Sequence, residues 1–165
     1  MKKTIFSVMA MLMAINCMAQ AKLAFPFQGG KDVMVNFFRE NLVASPDIVR
    51  RRATGTVIFK FTADQKGKIT KMIIYYADDA ILAPPIITAL KKTNRKWIIP
   101  DGVDFTDFIL PVSYSFYPPD TDTLAVKRAV YDFNQTRKPI VAIDQIPLNM
   151  ATLLPAVMVN YSVAQ

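Results

Sequence analysis

From residue 30 the apolar positions first recur at helical spacing. Val33, Met34, Phe37, Phe38 and Leu42 fall three and four residues apart, with Lys31, Asp32, Arg39 and Glu40 mostly elsewhere. This predicts an amphipathic helix that starts after the breakers Pro26, Gly29 and Gly30. Ser45-Pro46 ends it, and "PDIVRRR" reads as a further helical turn with Pro46 at its first position.

The period then drops to two. In "GTVIFKFTADQKGKITKMIIYY", residues 55–76, Val57, Phe59 and Phe61 alternate with Ile58, Lys60 and Thr62, and the first set is expected to face the core. "ADQKGK" supplies a turn, with Gly67 free to take positive φ. In the second strand strict alternation groups Ile69, Lys71, Ile73 and Tyr75 on one face. It places Thr70, Met72, Ile74 and Tyr76 on the other. "ADDAILAPPIITALKKTNRKW" follows as a helix. Asp78 or Asp79 helps to start it, Pro84 and Pro85 fit only its first turn, and Ile86, Ala89, Leu90 and Thr93 face inward. Lys91, Lys92, Arg95 and Lys96 gather near its carboxyl end, where the helix dipole favours cations. "FTDFILPVSYSFY" reads as a third strand, with Phe108, Leu110, Val112, Tyr114 and Phe116 on one face. Pro111 cannot donate a ladder bond, which argues that this strand lies at the border of the sheet.

The order helix, strand, strand, helix, strand predicts an α+β fold, a three-stranded antiparallel sheet with two helices on one face. The remainder is less regular. "TLAVKRAVYDFN" suits a helix with Leu124, Val130 and Phe133 inward, or a strand in its first half. "KPIVAIDQIPLNMATLLPAVMVNYSV" holds apolar runs cut by Pro139, Pro147 and Pro155. It reads as short strands or extended segments packed on the main unit, being too apolar for a solvated tail. No internal repeat or low-complexity segment is evident.

Composition changes the picture at the amino terminus. "MKKTIFSVMAMLMAINCMAQ" has the layout of a secretory signal peptide: Lys2 and Lys3, an uncharged stretch from Thr4 to Ile15, then Cys17 and Ala19 at the small-residue positions. The apolar run is shorter than the roughly 20 residues that span a bilayer. The expected division is residues 1–19 as signal, 20–117 as a folded domain and 118–165 as a C-terminal extension. Uncleaved anchoring, or a lipoprotein attached through Cys17, are the alternatives; Ala14-Ile15-Asn16 fits the lipoprotein pattern poorly. The expected location is periplasmic or secreted. Cys17 is the only cysteine, so a processed chain forms no internal disulfide.

The net charge is +7, which falls by two without Lys2 and Lys3. For an exported chain this favours weak attraction to anionic envelope components over nucleic acid. There is no histidine. That removes Ser-His-Asp and Cys-His catalysis, histidine metal sites and, with cysteine gone, the usual zinc ligands. No cofactor, metal or small-molecule substrate is inferred. Asp101, Asp104 and Asp107 lack the regular ligand spacing of a calcium loop, and adjacent Asp78 and Asp79 should point apart rather than converge as a catalytic pair. Trp97 suits a packed side chain between helix and sheet better than an exposed anchor. Arg50-Arg51-Arg52 reads as a solvated helix end, or else as a grip on an acidic partner or phosphate.

The ordered motifs resemble the TonB carboxyl-terminal domain in its Bacteroidetes form, over Phe27 to Phe116. "FPFQGG" stands where the family has "FPGG", Gly55 opens the first strand, "DQKGKI" supplies an Asp-x-x-Gly-like turn, "WIIP" follows the second helix, and "LPVSYSF" carries the Leu-Pro-Val element. Ser45-Pro46 replaces the family's Tyr-Pro, and the expected membrane anchor and proline-rich spacer of a force-transmitting member are not found. The resemblance implies a non-enzymatic protein-binding module that contacts an envelope protein, such as a TonB-dependent outer-membrane transporter, by strand addition. A homodimer through the same border is a further expectation. The partner-binding border would be the third strand, with Ile109, Leu110, Val112, Ser113, Tyr114 and Ser115. The alternatives are that the apolar C-terminal segments already occupy that border, that the fold serves a structural envelope role without binding, or that carboxylates and lysines alone support an enzyme.

Overall fold

The computed structural model describes residues 25–117, 124–143, 148 and 150–162. Its described residues form four α-helices and a mixed sheet of six strands, an α+β fold. Helix α1 (Gly30–Asn41) begins after Gly29, whose φ is 87°. Met34 and Phe38 are its fully buried residues, Phe37 packs partly, and Val33 faces solvent rather than the expected core. Helix α2 (Pro46–Arg51) starts at Ser45, whose Oγ accepts the Ile48 N–H, and stops at Arg52 in the left-handed region with φ 50°. A 3-10 turn (Ala80–Leu82) leads into α3 (Ala83–Lys92), with both prolines in the first helical turn. Asp79 caps that turn by accepting from Ile81 N at 2.9 Å. Ile86, Ala89, Leu90 and Thr93 are buried.

Strand β1 (Gly55–Asp64) is central and pairs antiparallel with β2 (Ile69–Ala77) and β3 (Phe105–Phe116). The C-terminal residues then enlarge the expected three-stranded sheet. After helix α4 (Leu124–Gln135), β4 (Ile140–Val141) joins β2, while β5 (Thr152–Leu153) and β6 (Val157–Tyr161) pair in parallel with β3. Residues 140–141, 152–153 and 157–161 therefore add to the same sheet. The C-terminal residues also place Phe133, Leu154, Val157 and Val159 in its core. In α4 the inward residues are Val126 and Phe133, and Leu124 is 81% exposed. Phe133 is inward as expected, and the phase differs at the start of the helix, where Val126 rather than Leu124 is buried.

Two further expectations need correction. Two irregularities interrupt the β1–β2 register, between Ile58 and Phe59 and between Thr62 and Ala63. Each inserts a residue into β2 and shifts the alternation by one. Ile69, Met72, Ile74 and Ala77 thus share the core face, while Lys71, Ile73 and Tyr76 pair with the outward residues Thr62, Lys60 and Ile58. The second concerns Pro111, which does not mark a sheet border. β5 pairs as far as Ile109 and β6 starts at Val112, so the proline falls in the interval between two partners. A missing N–H is tolerated there because no ladder bond is demanded.

The helices cover one face of the sheet. Met34, Phe38, Ile48, Leu82, Ile86 and Leu90 meet Val57, Phe59, Phe61, Phe108, Leu110 and Val112 in one buried cluster. Trp97 is 3% exposed, lies 4.7 Å and 5.0 Å by ring centroid from Phe61 and Phe108, and donates from Nε1 to Thr93 Oγ1 at 2.9 Å. It packs between helix and sheet, with its polar atom satisfied. In the β1–β2 turn Gly67 has φ 68° and its Cα lies close against the Trp97 backbone, where a side chain would clash.

Candidate functional site

The strand expected to bind a partner is not a free border. Leu110, Val112 and Tyr114 face the core at 0%, 0% and 2% exposure, while Ile109, Ser113 and Ser115 lie half-buried on the other face. β1 occupies one side of this strand, and β5 and β6 occupy most of the other. This corrects the expectation of exposed main chain along residues 109–116. The C-terminal segments fill that side, as one of the alternatives held.

Energetics decide whether they are a loose cover. Leu154, Val157 and Val159 are all buried, each worth roughly 1.5–3 kcal/mol on full burial. Tyr161 adds a tie, its hydroxyl donating to Ala53 O at 2.7 Å with a second contact to Ile48 O at 3.3 Å. Burial pushes that phenol up to about 12. An incoming peptide would have to replace all of this, so β6 is an integral strand.

The open border lies on the opposite side of the sheet. β4 pairs only with Tyr76 and Ala77, and Ala142 N continues the contact to Tyr75 O at 3.0 Å. From Thr70 to Ile74 β2 has no strand neighbour on its outer side among the described residues. At the strand's start Ile69 N is satisfied by Asn94 Oδ1 at 3.0 Å. The free stretch is about 17 Å long at the usual rise of a strand. Nothing in the hydrophobic pattern announced it, because the border depends on how little of β2 the distant residues 140–142 reach.

The charged candidates resolve into separate local roles. Asp78 Oδ2 accepts from Thr56 N at 2.6 Å, and its Oδ1 accepts from the Tyr76 hydroxyl. That hydrogen bond, and the carboxylate's charge, raise the Tyr76 phenol above its ordinary value. Asp79 is 1% exposed and holds Ile81 N and Lys138 N, each at 2.9 Å. The two carboxylates serve different backbone corners. Asp107 pairs with Lys60 at 2.7 Å and accepts from Thr62 Oγ1 at 2.6 Å. Partial burial alone would raise the Asp107 carboxyl. The Lys60 ammonium and the Thr62 hydroxyl outweigh that and hold it below the usual carboxylate range. Asp104 instead accepts from Gln65 Nε2 at 3.0 Å. No group of three or more acidic or cysteine ligands converges among the described residues, and no described helix is long and apolar enough to cross a membrane.

The three arginines part company too. Arg50 pairs with Asp47 at 2.7 Å in solvent. Arg51 and Arg137 lie over the Phe133 ring at 5.3 Å and 5.4 Å from its centroid, and Arg52 lies 6.0 Å from the Phe116 centroid. Beside them is an open groove of about 430 Å³ with Phe116, Val126, Val130 and Tyr131 among its walls. It was not legible in the sequence, since it needs α4 laid against the end of β3. Searches of protein-family models, curated proteins and solved structures found no match for this chain.

Proposed function

We propose that this is a non-enzymatic exported module that binds an envelope protein by taking an extended segment of it as an added strand along β2. The observation that carries the reading is the unpartnered outer side of Thr70–Ile74. Exposed main-chain donors and acceptors give affinity without demanding a particular side-chain sequence. The order of motifs that resembles the TonB carboxyl-terminal domain supports an envelope partner, such as an outer-membrane transporter. The border offered to that partner is β2 rather than the β3 strand that the resemblance implied. A structural envelope role without binding is the second reading, favoured by the closure of the β3 side by β5 and β6.

Site-directed photo-cross-linking tests the choice. A photoreactive residue replacing exposed Lys71 should capture an outer-membrane protein through one extended segment, whereas one replacing Ser115 should not. Capture from neither position leaves the structural role, and capture from position 115 alone rejects β2 as the docking border.

A further inference from the structure

The open stretch of β2 ends where β4 begins, and the segment that carries β4 is held unevenly. Its upstream residues are anchored. Lys138 N donates to Asp79 Oδ2 at 2.9 Å, Ala80 N donates to the Lys138 carbonyl at 2.9 Å, and Arg137 Nη2 donates to the Thr54 carbonyl at 3.0 Å. The strand itself has two residues, Ile140 and Val141, which pair with Ala77 and Tyr76. Pro139 before it brings no N–H. Ile140 packs partly on the core, Val141 is 63% exposed, and Ile143 just beyond is 98% exposed. Main-chain hydrogen bonds therefore fasten β4 to β2, with little side-chain burial behind them.

The opposite side of the sheet is closed differently. There Leu154, Val157 and Val159 are buried, and the Tyr161 hydroxyl ties β6 to Ala53. A main-chain bond contributes little net stability in water, so a segment held by a few of them opens locally far more readily than one that carries core side chains. An incoming extended segment supplies equivalent donors and acceptors to the same groups of β2. Departure of β4 would bare Tyr75, Tyr76 and Ala77. The open stretch would then run from Thr70 to Ala77, about 26 Å at the usual rise of a strand.

We propose that β4 is a displaceable strand: the partner's segment replaces Ile140–Ala142 and pairs along the whole of Thr70–Ala77, while Arg137 and Lys138 stay anchored. This rests on the strand-addition reading of β2 and names the part of the chain that gives way to the partner.

The pairing geometry supplies a lock. The bond from Ala142 N to Tyr75 O makes Tyr76 and Val141 a non-hydrogen-bonded pair, whose Cα atoms lie about 4.5 Å apart, within disulfide reach. The variant Tyr76→Cys with Val141→Cys is made in the full chain carrying Cys17→Ser, which removes its one native thiol. Oxidised, it fixes β4 on β2. With a photoreactive residue in place of Lys71, the oxidised form should capture an outer-membrane protein about tenfold less than the reduced form, the effect of losing two or three main-chain bonds. Hydrogen exchange in the unsubstituted chain adds a test that needs neither partner nor bridge. The Ala142 amide, bonded to Tyr75 O, should exchange about 100-fold faster than the Leu154 amide, bonded to Ile109 O. Equal protection of the two amides overturns the proposal, and so does equal capture by the oxidised and reduced forms. In either case continued capture from position 71 leaves strand addition along Thr70–Ile74 standing. Absence of capture from every form rejects strand addition on β2 and the displaceable strand with it.

Discussion

Lys60 sits near the middle of the central strand, 7% exposed, on the sheet face opposite the helices. Its ammonium lies 2.7 Å from Asp107 on the neighbouring strand. Because the folded Asp107 carboxyl titrates below its unfolded range, the pairing stabilises the fold fully above about pH 4. That contribution is lost as pH falls through the folded value. Asp107→Asn should therefore flatten the decline in urea stability as pH falls below about 4 relative to the parent. Tyr114 and Tyr161 move the opposite way, both raised by burial. Their neutral forms support the fold below about pH 10, and that support is lost as pH rises through the folded values. A spectrophotometric titration should show these two phenols ionising only well above the ordinary phenol range of about pH 10, or on alkaline unfolding. Gly55 is decided at this scale as well. Its φ is 149°, and an added Cβ would lie 2.7 Å from the Asp78 side chain. Gly55→Ala should cost about 1–3 kcal/mol in chemical denaturation, through backbone strain and displacement of the Asp78 bond to Thr56 N.

At the scale of elements the C-terminal strands matter most. Parallel pairing is slightly weaker per residue than antiparallel, so β5 and β6 hold chiefly through the side chains they bury. Leu154→Ala removes a side chain that is 2% exposed and should lower stability by about 2–5 kcal/mol. A chain ending at Tyr117 would lose Phe133, Leu154, Val157 and Val159 from the core and bare the long β3 border. It should lose its cooperative thermal transition and self-associate, rather than gain binding as a removable cover would predict. A sharp monomeric melt from that truncation would show β6 to be a loose cap after all. The β1–β2 hairpin, α1 and α3 are elements whose own residues specify them. Proline placement in α3, the polar turn at Gly67 and the 3.6-residue apolar recurrence are local instructions, read within one element.

Across the whole molecule, legibility falls with sequence separation. The α+β class and the three-strand nucleus were readable because β1 and β3 carry clear period-two alternation, β2 is a run of β-branched and aromatic residues after a polar turn, and α1 and α3 carry helical faces. The phase of β2 was not, because the extra residues Thr70 and Tyr75 leave no mark in the residue order around them. The candidate border on β3 was misread for a related reason. Pro111 signals only that a donor is absent, and tertiary pairing decides whether solvent or an interval between β5 and β6 lies beside it. The amino-acid sequence by itself determined the elements of the three-strand nucleus, the buried faces of β1, β3 and α3, and the absence of histidine with its chemical consequences, since these depend on residue identity and local period. Only the tertiary structure decided which strand keeps an open side, which phenols are buried and where the groove beside α4 forms. Each depends on contacts between segments tens of residues apart, whose geometry no local pattern encodes.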